Sequence, residues 1–123
     1  MGNGWIGVDL DGTLARHDEW KGHTHIGEPV PLMLDRVLQW IEQGFEVRIV
    51  TARVASNSFG KKEARAAIKK WCKKHIGVEL PVTSEKDYSM IELWDDRCVP
   101  VEFNTGVNLR EKCADCSLRS EEA

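Results

Sequence analysis

The chain has 123 residues, enough for one layered domain and little more, and its 41% hydrophobic and 30% charged content is that of an ordinary globular protein. No apolar run approaches the ~20 residues that span a bilayer, and the first residues lack the charged-then-apolar pattern of a secretory leader. A cytoplasmic protein with no membrane partner is therefore expected. The net charge of −3 excludes a global field that would recruit nucleic acid, so polyanion binding would need a local patch.

Trp5-Ile6-Gly7-Val8 is a short apolar run that stops at Asp9, the pattern of a buried strand. Residues 15–30 hold Arg16, His17, His23, His25, Gly22, Gly27 and Pro29 without periodicity, which predicts a loop or small hairpin. From Pro31 the spacing of Leu34, Val37, Leu38 and Ile41 is helical, and Gly44 marks the stop. Glu46 to Thr51 reads as the second strand, and Ser56 to Gly60 as a polar loop. A second helix is predicted from Lys61 to His75 with Ala64, Ile68, Trp71 and Cys72 on its buried face. Pro81-Val82-Thr83 is a brief third strand, Ile91 to Trp94 a fourth leading into Asp95-Asp96, and Val99 to Phe103 a fifth. Such alternation predicts an open parallel α/β sheet with helices on both faces, in three layers. Residues 1–108 form its single domain, and 109–123 a polar tail.

Four cysteines bear on metal and redox chemistry. Cys72 and Cys98 read as ordinary thiols. Cys113 and Cys116 form a C-x-x-C without a second ligand pair nearby, so two reduced thiols are the simpler reading, a site shared across a dimer the alternative.

The acids fall where such sheets bind ligands, at the carboxyl ends of strands near the reversal of strand order. Asp9 closes the first strand, and Asp11 follows in the turn that Gly12 permits. Two adjacent carboxylates repel unless a hard cation lies between them, and magnesium favours a few carboxylates together with a substrate phosphate. One acid can then attack phosphorus while the other exchanges protons with the leaving oxygen and the hydrolytic water. Thr51 and the backbone N–H of Ala52 can hold phosphoryl oxygens, and Lys86 can neutralise them. Asp95 and Asp96 can complete a magnesium site with Asp9. Lys61, Lys62 and Arg65 are alternatives to Lys86. Arg53 is either a phosphate ligand or a partner of the acidic cluster, and Arg97 is read as such a partner.

The segments Asp9-Leu10-Asp11-Gly12-Thr13-Leu14, Val50-Thr51-Ala52-Arg53, Lys86 and Trp94-Asp95-Asp96-Arg97 resemble, in order, the four motifs of the haloacid dehalogenase-like superfamily. The resemblance covers about residues 5–100. It implies a Rossmann-like fold of strand order 3-2-1-4-5 and a phosphomonoesterase working through an aspartyl-phosphate on Asp9. Asp11 would be the general acid/base, with its backbone carbonyl on magnesium, and Thr51 and Lys86 would bind phosphate. Asp96 would be the main remaining metal ligand, with Asp95 second. Residues 13–28 would form a flap, and neither usual insertion point has room for a cap domain. An open site suits a bulky substrate or cover by a second subunit of a homo-oligomer. Val50 to Arg53 and Asp95 to Arg97 also resemble the phosphatase domains of polynucleotide kinase-phosphatases, which implies a nucleotide or nucleic-acid end among the substrates, beside phosphorylated small molecules. Trp20 in the flap either contacts substrate or a partner subunit, or packs on the sheet edge.

Two other classes share this composition. Receiver domains also combine acids, a Thr and a Lys, but their acidic pair precedes the phosphorylated Asp, whereas here Asp9 comes first. A non-catalytic magnesium- or phosphate-binding module would be expected to have lost Asp9 or Asp11, and both are present.

Overall fold

The structure, a computed structural model, describes residues 4–112. Four parallel strands, β1 (Trp5–Asp9), β2 (Glu46–Val50), β3 (Val82–Thr83) and β4 (Met90–Trp94), lie in the order β3-β2-β1-β4. Two helices, α1 (Pro31–Glu42) and α2 (Lys61–His75), link the first three. The result is an α/β fold with a parallel sheet, as the alternating pattern predicts.

Local chemistry explains the boundaries. Pro31 opens α1, where its missing N–H leaves no bond unmade. The helix closes before Gly44, whose φ of 92° no ordinary side chain adopts readily. Met33 and Val37 are its buried residues, while Leu38, expected inside, stays 39% exposed. The apolar stripe is thus turned slightly from the one read in the sequence, because Met33, Trp40 and Ile41 share the packing. In α2 the buried residues are Ala64, Ile68, Trp71 and Cys72, as expected. Burial also raises the Cys72 thiol above its ordinary pKa.

Side chains alternate across a strand, and the core shows which face the helices cover. Val8, Val47, Ile49 and Val82 pack with Met33 and Val37 of α1 and with Ile68 and Trp71 of α2. Both helices therefore lie on one face, as right-handed crossovers require when the sheet grows in one direction from β1 to β3. Arg65 of α2 also donates to the Val82 carbonyl.

The other face departs from expectation. Among the described residues no helix covers it, so the predicted third layer is absent. Thr83 and Met90 stand at opposite edges and opposite ends of the sheet. Three inter-strand spacings and four residues of rise separate them by roughly 20 Å. The chain between them, residues 84–89, reaches at most ~24 Å when extended, which leaves no length for a helix. It crosses as a strap over Trp5. The indole is 1% exposed and donates through Nε1 to Asp87 Oδ1 at 2.8 Å, with the Arg48 guanidinium 4.5 Å from its ring. Gly7 makes room for it: a Cβ there would lie 3.0 Å from the Trp5 ring and 3.0 Å from Val50.

The Trp5 bond, then the Ser89 N–H and Arg48, hold the Asp87 carboxyl below the usual carboxylate range. A lowered pKa contributes stability above the unfolded value that is lost as pH falls through the folded one. Asp87→Ala is therefore expected to lower the urea midpoint at pH 7 by leaving a buried indole N–H without its acceptor. The deficit should shrink in acid; a midpoint equal to wild type at pH 7 would contradict this.

Nor do Val99 to Phe103 form the expected fifth strand of the sheet. Val101 forms only an isolated antiparallel bridge with Asn108, and Phe103 is 86% exposed. Pro100 offers no N–H to a ladder, and the chain reverses at Asn104 and Gly106, both at positive φ. It then bonds to itself, from Glu102 N–H to the Val107 carbonyl and from Leu109 N–H to the Pro100 carbonyl. Strand order is therefore 3-2-1-4, with β4 at an edge. Cys113 and Cys116, and most of the predicted tail, lie outside the described residues. No helix among the described residues is long and apolar enough to cross a membrane.

Candidate active site

The winding direction reverses between β1 and β4, since β1 leads toward β2 and the strap returns the chain to the far side of β1. Ligands in open α/β sheets bind beside such a reversal. Asp9 ends β1 there, and Asp95 and Asp96 follow β4 directly. Each of the three carboxylates offers an oxygen within 4.8 Å of the others.

Thr13 ties this group together. Its buried hydroxyl lies 3.2 Å from Asp9 Oδ2 and 3.1 Å from Asp96 Oδ1, and it accepts from the Asp96 backbone N–H at 3.0 Å. One hydroxyl proton cannot serve both carboxylates at once, so the acids remain short of positive partners. The consequence is an Asp9 carboxyl pushed up to about 7, chiefly by burial, then by the charge of Asp95 and the contact with Asp96, against a lowering contribution from Thr13.

Gly12 makes the approach possible. It has φ of 89°, and a Cβ on it would stand 2.8 Å from Asp96 Oδ2. Gly12→Ala is expected to cost about 1 kcal/mol or more in backbone strain and to push Asp96 out of the group. Thermal unfolding with and without magnesium checks both effects. Unchanged stability together with an unchanged magnesium response would contradict this reading of the turn.

Asp11 does not join the three. Its carboxylate forms a two-pronged pair with Arg53, Nε to Oδ2 at 2.8 Å and Nη2 to Oδ1 at 2.9 Å, with the Arg53 side chain 5% exposed. His17 Nδ1 stands 3.7 Å from the same carboxylate. Arg53 Nη1 also donates to the carbonyls of Gly22 and His23, at 3.3 and 3.0 Å, and the Trp20 ring lies 4.8 Å from the guanidinium carbon. One buried cation therefore fastens the expected flap to Asp11. The base of the flap closes as a narrow hairpin through the Ala15–Pro29 bridge and the bond from Arg16 N–H to the Glu28 carbonyl.

Thr51 is buried at the end of β2, and its hydroxyl accepts the Arg53 N–H at 3.2 Å to cap the short 3-10 turn Ala52–Val54. Lys86 sits on the exposed strap. It is absent from the residues that line the central cavity, whereas Ser84, two positions earlier, is among them. That cavity, about 1070 Å³, brings together Asp9, Asp11, Thr51, Ala52, Arg53, Asp95 and Asp96. Arg97 borders the same space, whereas Lys86 and its alternatives Lys61, Lys62 and Arg65 do not line it.

Sequence reasoning missed two contributors. Thr13 falls within the first motif and at the start of the expected flap but carries no assigned role there, and a hydroxyl two residues after the second acid is the only signal of one. Phe59 passed as part of a polar loop, yet a lone aromatic in Ser-Asn-Ser-Phe-Gly is itself a signal. Compared with protein-family models, with curated proteins and with solved structures, the chain has no match.

Proposed function

We propose that the chain is a magnesium-dependent phosphomonoester hydrolase of haloacid dehalogenase-like type with Asp9 as nucleophile. The observation that carries the reading is the convergence of Asp9, Asp95 and Asp96 within 4.8 Å beside Thr51, at the reversal of a parallel sheet. A set of hard carboxylate oxygens short of cationic partners suits magnesium. Asp9, Asp95 and Asp96 would hold it, and when bound it would neutralise charge on the acids and the phosphoryl group.

The residues then divide the work. An Asp9 carboxylate oxygen attacks phosphorus as the bond to the leaving oxygen breaks, giving an aspartyl-phosphate. Asp11 gives its proton to that leaving oxygen and later takes one from water, whose oxygen attacks phosphorus and releases Asp9. The Thr51 hydroxyl uses a lone pair for the Arg53 N–H, so its proton stays available to a phosphoryl oxygen, as does the Ala52 N–H. Asp11 must leave Arg53 to exchange protons, and the freed guanidinium can then meet the phosphate.

The Asp11–Arg53 pair also favours a second reading, a non-catalytic magnesium- or phosphate-binding module in which Asp11 only anchors the flap. One experiment separates the two. Phosphate release from glycerol phosphate is followed with magnesium, with chelator, and in Asp9→Asn and Asp11→Asn. The hydrolase reading expects turnover that needs magnesium and falls steeply in both variants. No turnover with any divalent metal, or full turnover in Asp9→Asn, sinks it.

A further inference from the structure

Two large aromatic side chains stand at the cavity mouth with most of their surface in water. Trp20 is 59% and Phe59 is 89% exposed, and both line the cavity that holds the carboxylates. They come from separate segments, Trp20 from the flap and Phe59 from the loop before α2. Exposed at this level, Phe59 adds little to the folded state by burial. Isolated surface aromatics are unremarkable, but these two are held in place by one set of contacts.

That set is short. The Trp20 ring lies over Arg53, Arg53 donates to the His23 carbonyl, and the His23 ring meets Phe59 edge-on at 5.7 Å. Because Arg53 also grips Asp11, the aromatic mouth and the acidic floor are built on the same buried residue. The cavity of about 1070 Å³ greatly exceeds what a phosphate on a small alcohol would fill. A ligand that meets both ends carries a phosphate and a flat ring with exposed π faces.

We propose that Trp20 and Phe59 form a base-stacking subsite and that the substrate is a mononucleotide, an inference that rests on the phosphatase reading of the cavity floor. Stacking on aromatic side chains tolerates every base, so discrimination among bases is weak. A single nucleotide fits better than a strand. Around Trp20 the flap offers Arg16 and Lys21 against Asp18 and Glu19, so this side of the mouth carries no net positive charge for a second phosphate.

Equilibrium binding tests this apart from catalysis. Affinities of adenosine 5′-monophosphate, adenosine 3′-monophosphate and ribose 5-phosphate are measured calorimetrically with magnesium for wild type, Trp20→Ala and Phe59→Ala. At least one nucleotide is expected to bind wild type roughly 5- to 150-fold more tightly than ribose 5-phosphate, the range of one stacked base, and the gap should narrow in at least one variant. If Trp20 serves only to steady Arg53, its loss weakens all three ligands alike. The proposal is overturned if neither nucleotide outbinds ribose 5-phosphate, or if the gap survives in both variants. A gap that narrows in a protein without phosphatase turnover would retain the subsite and remove the hydrolase.

Discussion

Asp9→Asn is expected to do two opposite things at once. On the proposed mechanism, in which Asp9 is the nucleophile, turnover of a phosphomonoester should fall at least roughly 10³-fold. Metal-free stability near pH 8, by contrast, should rise. The sign follows from the Asp9 carboxyl, raised from 3.8 to about 7 in the fold. Between those values the folded chain keeps a proton that the unfolded chain has released, so raising the pH through this window draws the protein toward unfolding. Below the window there is no penalty, and above it the buried charge bears all of it. Asparagine carries no charge, so the variant should gain melting temperature over wild type at pH 8 and little at pH 4. On the proposed reading of the site, magnesium competes with the proton on Asp9. It should therefore stabilise wild type more at pH 8 than at pH 5, and Asp9→Asn much less at either. Thermal unfolding in chelator and in magnesium at these pH values reads every part. A magnesium shift of equal size at both pH values, retained in the variant, would refute the account.

Arg53→Ala should be the most destabilising single change near the site. The side chain is 5% exposed and its partner Asp11 is 23% exposed, so removing the guanidinium strands a largely desolvated carboxylate. Breaking one side of a buried pair costs about 3–5 kcal/mol, and the remaining water contact of Asp11 points to the lower end, about 3. The carbonyls of Gly22 and His23 lose their donor as well, so the flap loses its fastening to the floor. Arg53→Lys keeps the charge but not the fork, and should recover only part of the loss. Urea unfolding measures the difference, and limited proteolysis within residues 16–28 reports on the flap. A change below about 0.5 kcal/mol, the usual range for surface substitutions, would show that the pair contributes nothing.

What the sequence revealed depended on the kind of signal. α2 was legible because Ala64, Ile68, Trp71 and Cys72 repeat at helical spacing and all four are buried. β1 and the position of Asp9 were legible because an apolar run ends abruptly at an acid. The fifth strand misled for the same reason: Val99, Val101 and Phe103 alternate as a strand does, but no strand of the sheet pairs with them, and Pro100 with the turn at Asn104 sends the chain back to bridge with itself at Asn108. Alternation reports a pattern, not the presence of a neighbour. The third layer failed on length, since six residues cannot both cross a sheet and coil into a helix. In the site, individual acids could be read from motif spacing, whereas the Asp11–Arg53 pair spans 42 positions and depends on tertiary packing. The sequence left Arg53 between phosphate ligand and partner of the acids, and the structure pairs it with Asp11.

The strap across the face without helices governs where this chain can change in length. Its ends at Thr83 and Met90 stand most of its ~24 Å reach apart, and the turn closed by Met90 N–H on the Asp87 carbonyl takes up much of the remainder, so it has little slack to give up. Deleting two of its residues would force β4 to slip in register or to leave the sheet. Lengthening it meets no such barrier, because a longer loop closes at little extra entropic cost, and no helix among the described residues occupies this face. Residues 84–89 thus tolerate lengthening better than shortening. An insertion of about 12 residues in the part of the strap beyond Ser84, which itself lines the acidic cavity, would allow a helix on this face.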